Sequence, residues 1–274
     1  MISGSGPADT WIAGPGAPTA ARRPVRGCLR LTATLAVLAL LATGAACNRR
    51  PRLTTVVYGG PGPPTLVLLH GYGSSAQRWE PFTKTIRWPW NGRFVFPEGP
   101  DAARRTDGVS DGRAWWGLDL PSHIPPGQSL PDLSATRPEG LEVAASLVED
   151  LLGALQRSPG GPIVLGGFSQ GAMVASEVAF RSDVKLHALV LLSGTLVDEA
   201  SWERHFDRRR GTAVFMAHGR GDRTLPFATA ERFRSKLEAA GVKVTWVPFD
   251  GGHEIPAAVV IALNRFIEGL PLAK

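Results

Sequence analysis

Short apolar runs alternate with longer stretches of helical periodicity along most of this chain. Each run is apolar at nearly every consecutive position, which is typical of strands buried on both faces of a parallel sheet. The alternation of such strands with helices predicts an α/β fold, a doubly wound, mostly parallel sheet flanked by helices in a single domain. The predicted strands are Thr65–Leu69, Phe94–Phe96, Ile163–Leu165, Leu189–Leu192, Ala213–Met216 and Val244–Val247.

Four stretches between and after these runs are predicted to be helical. From Ala144 to Leu155, apolar residues recur at spacings of three and four, so they lie on one stripe of a helix. The other predicted helices are Gln170–Phe180, Phe227–Ala240 and Ala257–Ile267. The helical and apolar segments together assign residues 65–274 to the folded domain.

The N-terminal segment, residues 1–46, has the pattern of an export signal. A basic stretch from Arg22 to Arg30 precedes an apolar run from Leu31 to Ala46, as in secretory signals. Small residues directly before Cys47 resemble the lipobox of bacterial lipoproteins, which predicts lipidation of Cys47 and attachment to a membrane of a bacterial envelope. An ordinary cleaved signal, giving a periplasmic or secreted protein, and an uncleaved anchor are the alternatives. Residues 47–64 are assigned to a linker.

The net charge of +6 is not concentrated in the folded domain. Residues 1–46 hold four arginines and one aspartate, a local balance of +3, which leaves +3 for all the rest. The longest basic run is Arg208–Arg210, interpreted as a solvated loop. Without basic blocks interleaved with aromatic residues, a nucleic-acid partner is not indicated.

The two cysteines, Cys28 and Cys47, both lie near the N-terminus. The folded domain therefore has no thiol with which to build a disulfide, a structural zinc site or a cysteine nucleophile. Chemistry in this domain is expected to come from other side chains, with no metal and no cofactor.

A candidate nucleophile lies between a predicted strand and a predicted helix. The sequence Gly167-Phe168-Ser169-Gln170-Gly171 matches G-x-S-x-G in the context where this pattern forms a sharp turn with an exposed serine hydroxyl. The flanking glycines allow the turn to close without steric conflict. This placement predicts Ser169 as the nucleophile of a serine hydrolase.

A serine hydroxyl needs a base, and in this type of site the order along the chain is serine, acid, histidine. Of the histidines after Ser169, His187 begins a predicted strand and His205 lies in a charged segment. His218 ends a strand, but no suitable acid lies between it and Ser169. His253 lies in a glycine-rich loop after the last strand, where an imidazole can reach the carboxyl edge of the sheet, and is the predicted base.

The predicted acid is Asp222, in the loop that follows the Ala213–Met216 strand. Its expected role is to fix the tautomer of His253 and to stabilise the imidazolium. Asp198 is the main rival because it follows the preceding strand, a position that some hydrolases use. Other carboxylates between or near the two residues are Glu199, Asp207 and Asp250.

The developing oxyanion needs backbone N–H donors. The residue after the nucleophile, Gln170, supplies one, and the loop after the first predicted strand is expected to supply the other, from Tyr72.

Four motifs in the expected order resemble the phospholipase/carboxylesterase family of α/β-hydrolases, which includes acyl-protein thioesterases and small bacterial carboxylesterases. They are Leu68–Gly73, Gly166–Ala172, His218–Pro226 and Gly252–Pro256. The resemblance covers about residues 65–270 and implies the α/β-hydrolase fold and an acyl-enzyme mechanism without a cofactor. The nucleophile, acid and base of the family fall on Ser169, Asp222 and His253, and its oxyanion donors on Tyr72 and Gln170.

One long segment, from Glu98 to Pro138, interrupts the strand–helix rhythm, and segments of this length are commonly functional or disordered. Family members often carry a Trp-aromatic-Asp motif here, whereas this chain has Trp115-Trp116-Gly117-Leu118-Asp119. Trp115 and Trp116 are predicted to line the acyl pocket, and the alternative is that they pack the loop onto the sheet.

The sequence thus predicts a serine hydrolase that cleaves carboxylic esters, acting on a small-molecule or lipid acyl ester. Thioesterase, lysophospholipase and acyltransferase activities would use the same triad. A non-catalytic, surface-tethered binding protein on a hydrolase fold is the alternative from another class. An exported or membrane-anchored esterase agrees better with residues 1–46 than a cytoplasmic depalmitoylating enzyme does.

Overall fold

The computed structural model describes residues 52–89, 91–104, 112–118 and 131–272. The predicted signal segment and Cys47 lie outside these residues. No helix in the described ranges is both long enough and apolar enough to span a membrane.

Nine strands are formed by the described residues. They are β1 (Thr55–Gly59), β2 (Thr65–Leu69), β3 (Arg93–Pro97), β4 (Asp101–Ala102), β5 (Arg113–Ala114), β6 (Ile163–Phe168), β7 (Ala188–Leu192), β8 (Ala213–Gly219) and β9 (Val244–Phe249). Seven of these strands form one sheet in the order β1-β3-β2-β6-β7-β8-β9, and β4 pairs with β5 in a small antiparallel ribbon.

Six α-helices connect and cover the strands in the described ranges. They are α1 (Glu80–Thr83), α2 (Leu141–Arg157), α3 (Gln170–Arg181), α4 (Glu199–Glu203), α5 (Phe227–Ala239) and α6 (Ala257–Glu268). Two short 3-10 turns, Ala76–Trp79 and Phe206–Arg209, precede α1 and follow α4.

The strands from β2 to β9 in the main sheet are all parallel, and β1 alone runs against them. Thr55 at the start of β1 pairs with Pro97 at the end of β3, and the N–H of Glu98 donates to the carbonyl of Thr54 at 2.8 Å. β1 lies within the segment assigned to a linker, so the folded domain begins before residue 65. The sequence signal is weak because β1 is a short edge strand with Val57 exposed.

Alternate residues of each central strand supply two separate cores. In β2, Val67 and Leu69 pack on the side covered by α2, α3 and α5, while Leu66 and Leu68 pack on the side covered by α1 and α6. All four side chains are essentially inaccessible to solvent, and burial of each contributes roughly 1.5–3 kcal/mol. Helices on both faces confirm the predicted doubly wound sheet.

The basic run Arg208–Arg210 is not uniformly solvated, because Arg209 is buried. Its guanidinium donates hydrogen bonds to three carbonyls at and beyond the end of α3, those of Ala179, Ser182 and Val184. These carbonyls are among the groups that a helix leaves without an internal partner at its C-terminus. The solvated-loop interpretation is therefore wrong for Arg209, which caps α3 from the side.

Candidate active site

Ser169 occupies a strained turn between β6 and α3. Its backbone has φ +55° and ψ −120°, a conformation that residues with a side chain rarely adopt. The neighbouring glycines make the turn possible, since a Cβ on Gly167 would lie 2.3 Å from the carbonyl carbon of Gly171. A Cβ on Gly171 would lie 2.3 Å from the carbonyl oxygen of Leu69. The turn therefore packs directly against the end of β2, with the serine at the carboxyl edge of the sheet.

Ser169, His253 and Asp222 form one hydrogen-bonded line. His253 Nε2 lies 2.8 Å from Ser169 Oγ, and His253 Nδ1 lies 2.7 Å from Asp222 Oδ2. The three residues follow β6, β9 and β8, whose carboxyl ends meet at one edge of the sheet. A carboxylate only accepts, so Nδ1 carries the proton and the lone pair of Nε2 is available to the serine hydroxyl. This is the arrangement that general-base activation of a serine requires.

The carboxylate of Asp222 is fully buried and has hydrogen bonds on both oxygens. Oδ1 accepts from the backbone N–H groups of Thr224 and Leu225, each at 2.9 Å, while Oδ2 faces His253. Burial opposes ionisation, but the hydrogen bonds from His218, His253 and the backbone outweigh it and hold the pKa of Asp222 below its ordinary value.

His218 is a part of this site that the sequence reasoning missed, because it considered His218 only as a base. Its Nε2 lies 2.9 Å from the carbonyl oxygen of Leu225 and 3.2 Å from Asp222 Oδ2. Since a carbonyl oxygen only accepts, this nitrogen carries a proton, which is shared with the carboxylate. The available signal was the spacing in His218-Gly219-Arg220-Gly221-Asp222, which places the imidazole at the end of the strand and the acid in the loop directly after it.

The rival acids lie in other contacts. Asp198 precedes α4, and its Oδ2 accepts from Arg137 Nη1 at 2.6 Å. Glu199 pairs with Arg232 and Lys236 through its carboxylate. Asp250 is exposed and lies 3.8 Å from Arg220, and Asp207 lies in the second 3-10 turn.

The structure places both predicted oxyanion donors beside the nucleophile. Gln170 directly follows Ser169 at the start of α3, and Tyr72 lies in the loop after β2. A Cβ on Gly71 would lie 3.3 Å from Ser169 Cβ, which shows how closely this loop approaches the serine. Within the described part of the chain, neither the N–H of Tyr72 nor that of Gln170 has an intramolecular acceptor. Their role as donors to an oxyanion stays a prediction.

Trp115 and Trp116 are both buried, with 1% and 2% of their surfaces exposed. They belong to the core cluster on the α2 and α3 side of the sheet. The Trp115 indole N–H donates to the carbonyl of His70 at 2.8 Å. Trp116 lies under the start of α2, where a Cβ on Gly140 would be 2.7 Å from Trp116 Cβ. These contacts pack the loop onto the domain, and a contact with an acyl chain stays a prediction.

In the described ranges, no group of three or more His, Cys, Asp or Glu side chains could hold a metal ion.

The chain matches the family model described as Phospholipase/Carboxylesterase over residues 54–270, which include every residue of this site. This protein belongs to that family, as the sequence motifs predicted. Membership makes it a hydrolase that acts on ester bonds, and it does not distinguish a carboxylesterase from a thioesterase.

Two curated relatives are similar over most of the domain. Acyl-protein thioesterase 1 of Yarrowia lipolytica is 26% identical over 195 residues, which cover 68% of this chain and 82% of the relative. Lysophospholipase-like protein 1 of Mus musculus is 25% identical over 206 residues, covering 70% and 77%.

Solved structures confirm the α/β-hydrolase fold. Esterase PE8 superposes with a TM-score of 0.63 at 26% identity, covering 80% of this chain and all of that protein. Acyl-protein thioesterase 2 of Zea mays superposes with a TM-score of 0.63 at 22% identity, covering 79% and 98%. At the latter identity the likeness concerns the fold alone.

Proposed function

We propose that this protein hydrolyses carboxylic acyl esters through an acyl-enzyme formed on Ser169. The observation that carries the proposal is the hydrogen-bonded line from Ser169 through His253 to Asp222, with both distances below 3 Å. The line lies beside two backbone N–H groups that have no acceptor within the described residues. The residues proposed as nucleophile, base, orienting acid and oxyanion donors thus lie close together, which supports the proposal.

In the first half-reaction, Ser169 Oγ attacks the acyl carbonyl while His253 Nε2 takes the hydroxyl proton. The carbonyl oxygen becomes an oxyanion that accepts from the N–H groups of Tyr72 and Gln170. His253 then gives the proton to the leaving alcohol as the C–O bond breaks. Asp222 stays ionised throughout and stabilises the imidazolium.

In the second half-reaction, a water molecule attacks the acyl carbon of the acyl-enzyme. His253 takes a proton from this water and returns it to Ser169 Oγ as the acyl–serine bond breaks. The products are the free carboxylic acid and the resting enzyme.

The test is hydrolysis of p-nitrophenyl esters from acetate to palmitate by the full-length protein, with Ser169→Ala as the control. We expect turnover that the substitution abolishes, and the profile over chain length identifies the preferred acyl group. Absence of turnover with every ester, from protein shown to be folded, would count against the proposal.

A second candidate activity is hydrolysis of acyl thioesters by the same residues. The similarity to acyl-protein thioesterases favours it, since the attack on the carbonyl and the oxyanion are the same for both substrates. Comparing kcat/KM for an acyl ester and an acyl thioester of equal chain length decides between them. Lysophospholipase and acyltransferase activities are tested in the same way, with a lysophospholipid or an added acceptor alcohol.

A binding protein that does not catalyse would have no use for a base on its serine. Labelling with a fluorophosphonate probe distinguishes a binding protein from an enzyme, since the probe reacts with an activated serine hydroxyl. Labelling of the wild type but not of Ser169→Ala supports the enzyme, and absence of labelling supports the binding protein.

We also propose that the protein is exported and attached to a bacterial membrane through a lipid on Cys47. The support is the sequence alone, a basic stretch and an apolar run that ends in small residues before Cys47. Mass spectrometry of protein extracted from membranes tests the proposal, and a soluble product with unmodified Cys47 would contradict it.

A further inference from the structure

We propose that residues Gly112–Leu118, called here the brace, hold the two oxyanion donors at a fixed separation. Tyr72 lies in the loop after β2, whereas Gln170 is the first residue of α3, after β6. The brace is bonded to both segments. This inference rests on the proposed function and adds positioning residues to it.

The side chain of Gln170 joins the nucleophile turn to the brace. Its Oε1 accepts from the backbone N–H of Trp115 at 2.9 Å, and its Nε2 donates to the carbonyl of Trp116 at 2.9 Å. Gln170 is only 1% exposed, so water cannot replace these bonds. Leaving a buried amide without hydrogen-bond partners is strongly unfavourable. The conformation at the start of α3 and the position of the brace therefore depend on each other.

The same brace is bonded to the loop that carries Tyr72. The indole N–H of Trp115 donates to the carbonyl of His70 at 2.8 Å. The N–H of Gly73 donates to Arg113, and the N–H of Arg113 donates to Ser74, at 2.9 and 2.7 Å. The residues on both sides of Tyr72 are thus tied to the brace.

The hydroxyl of Tyr72 adds a further connection. It donates to the carbonyl of Arg104 at 2.5 Å and accepts from the N–H of Arg104 at 2.8 Å. The carbonyl of Leu118, the last residue of the brace, lies 3.1 Å away as a longer second acceptor. The side chain of Tyr72 is therefore held mainly by Arg104, with Leu118 beside it, while its N–H remains free for the oxyanion.

The hydrogen bonds around His70 require its neutral form. Its Nε2 accepts from the N–H of Gly99 at 2.9 Å, and its Nδ1 therefore donates to the carbonyl of Gly71 at 2.8 Å. Burial lowers the pKa of His70, although the Gly71 carbonyl and the nearby Glu98 favour the charged form. The ring of Trp115 packs on this imidazole with centroids 5.4 Å apart.

Oxyanion stabilisation is sensitive to such positioning. Loss of one donor costs about 10²–10³-fold in kcat, and a displacement of about 1 Å can cost about 10²-fold. The expected signature of a positioning role is a lower kcat with an unchanged KM, because the oxyanion exists only beyond the ground state.

The experiment measures kcat and KM of the full-length protein on p-nitrophenyl butyrate. Gln170→Met keeps the backbone donor and removes both bonds to the brace, and kcat should fall about 10- to 100-fold. Trp115→Phe and Tyr72→Phe each remove one polar group, and kcat should fall about 3- to 10-fold. KM should stay within about twofold in all three variants.

Trp202→Phe is the matched control. Trp202 is as deeply buried as Trp115, and its indole N–H donates to Glu177 Oε2 at 2.5 Å, away from the catalytic residues. This substitution should lower the melting temperature and leave kcat unchanged. If Gln170→Met does not fold, the two phenylalanine variants still test the brace.

The outcomes separate the brace from the proposed function. Lower kcat with constant KM in the brace variants, and not in Trp202→Phe, supports the brace. Unchanged kcat, an equal loss in Trp202→Phe, or a rise in KM that accounts for the lost activity would overturn the brace, while Ser169-dependent turnover of the wild type would still support the esterase. Absence of Ser169-dependent turnover in the wild type would overturn both.

Discussion

Replacing Asp222 with asparagine should trap His253 in the tautomer that cannot act as a base. The orientation of the new amide is dictated by the structure. The Oδ1 position receives two backbone N–H groups at 2.9 Å, so it must stay the carbonyl oxygen. The NH₂ group then takes the Oδ2 position, 2.7 Å from His253 Nδ1. As a donor, it requires Nδ1 to accept, which moves the imidazole proton to Nε2.

His218 can accommodate an NH₂ group at the Oδ2 position. Its Nε2–H lies 3.2 Å from that position but also 2.9 Å from the carbonyl of Leu225, which can take the proton alone. Turning the amide over would instead set the NH₂ against two backbone donors. His253 Nε2 therefore carries a proton and cannot accept the one from Ser169.

The expected loss is about 10⁴-fold in kcat, the size of effect that a wrong tautomer has in a serine protease with the same three residue types. At about 1.36 kcal/mol for each tenfold change, this corresponds to about 5.4 kcal/mol of lost transition-state stabilisation. Ser169→Ala gives the lower limit of the assay.

The assay is turnover of p-nitrophenyl butyrate, with far-ultraviolet circular dichroism and thermal unfolding to verify the fold. Asp198→Asn is the matched control, because it makes the same chemical change in a carboxylate that pairs with Arg137. Asparagine also tolerates the left-handed backbone of this position, φ +46°. Activity should stay within about twofold of the wild type. If folded Asp222→Asn keeps more than about a tenth of wild-type kcat, or if Asp198→Asn loses as much, the tautomer argument is wrong.

Three further predictions concern the pH dependence of stability, the turn at Ser169 and the end of α3. Burial opposes ionisation of Asp222, but its hydrogen bonds outweigh this effect and lower its pKa. The ionised carboxylate therefore stabilises the folded state fully above about pH 4, and this stabilisation is lost as the pH falls further. Urea unfolding should accordingly show the free-energy gap between wild type and Asp222→Asn shrinking below about pH 4. Gly171→Ala places a Cβ 2.3 Å from a backbone oxygen of β2 and should lower kcat by at least about 10²-fold, whereas Gly211→Ala, with open space around its Cβ, should leave kcat unchanged. Arg209→Met strands buried carbonyls and should lower the free energy of unfolding by about 3 kcal/mol, whereas exposed Arg208→Met should change it by less than about 0.5 kcal/mol.

Each of these predictions has a result that would contradict it. A gap between wild type and Asp222→Asn that is constant with pH would mean that the carboxylate has similar pKa values in the folded and unfolded states. Full activity of Gly171→Ala would mean that the nucleophile turn can move away from β2 without displacing the oxyanion donors. Equal melting temperatures for Arg209→Met and Arg208→Met would mean that water satisfies the carbonyls after α3.

The proposed catalytic residues could be predicted from the sequence because each has a recognisable position along the chain. Ser169, Asp222 and His253 each follow an apolar run, and parallel strands bring their carboxyl ends to one edge of the sheet. The order of the motifs then selected the residues. The choice between Asp222 and Asp198 needed the structure, since it depends on which carboxylate faces His253 and which pairs with Arg137.

Contacts between segments that are far apart in sequence have no comparable signature in the sequence. The side chain of Gln170 meets Trp115 across more than fifty positions of sequence, and a glutamine in a G-x-S-x-G motif predicts nothing about that partner. The sequence does not distinguish Arg209 from its exposed neighbours, because its burial depends on contact with the end of α3. These features depend on three-dimensional distance, which periodicity and motif spacing do not encode.

The antiparallel direction of β1 has a consequence for the edge of the sheet that carries Ser169. Because β1 runs against its neighbours, Thr54 and Thr55 lie at this edge, and Thr54 accepts a hydrogen bond from the N–H of Glu98. β1 thus adds its first residues, and not its last, to the edge that carries Ser169, and this hydrogen bond joins it to the segment that follows β3.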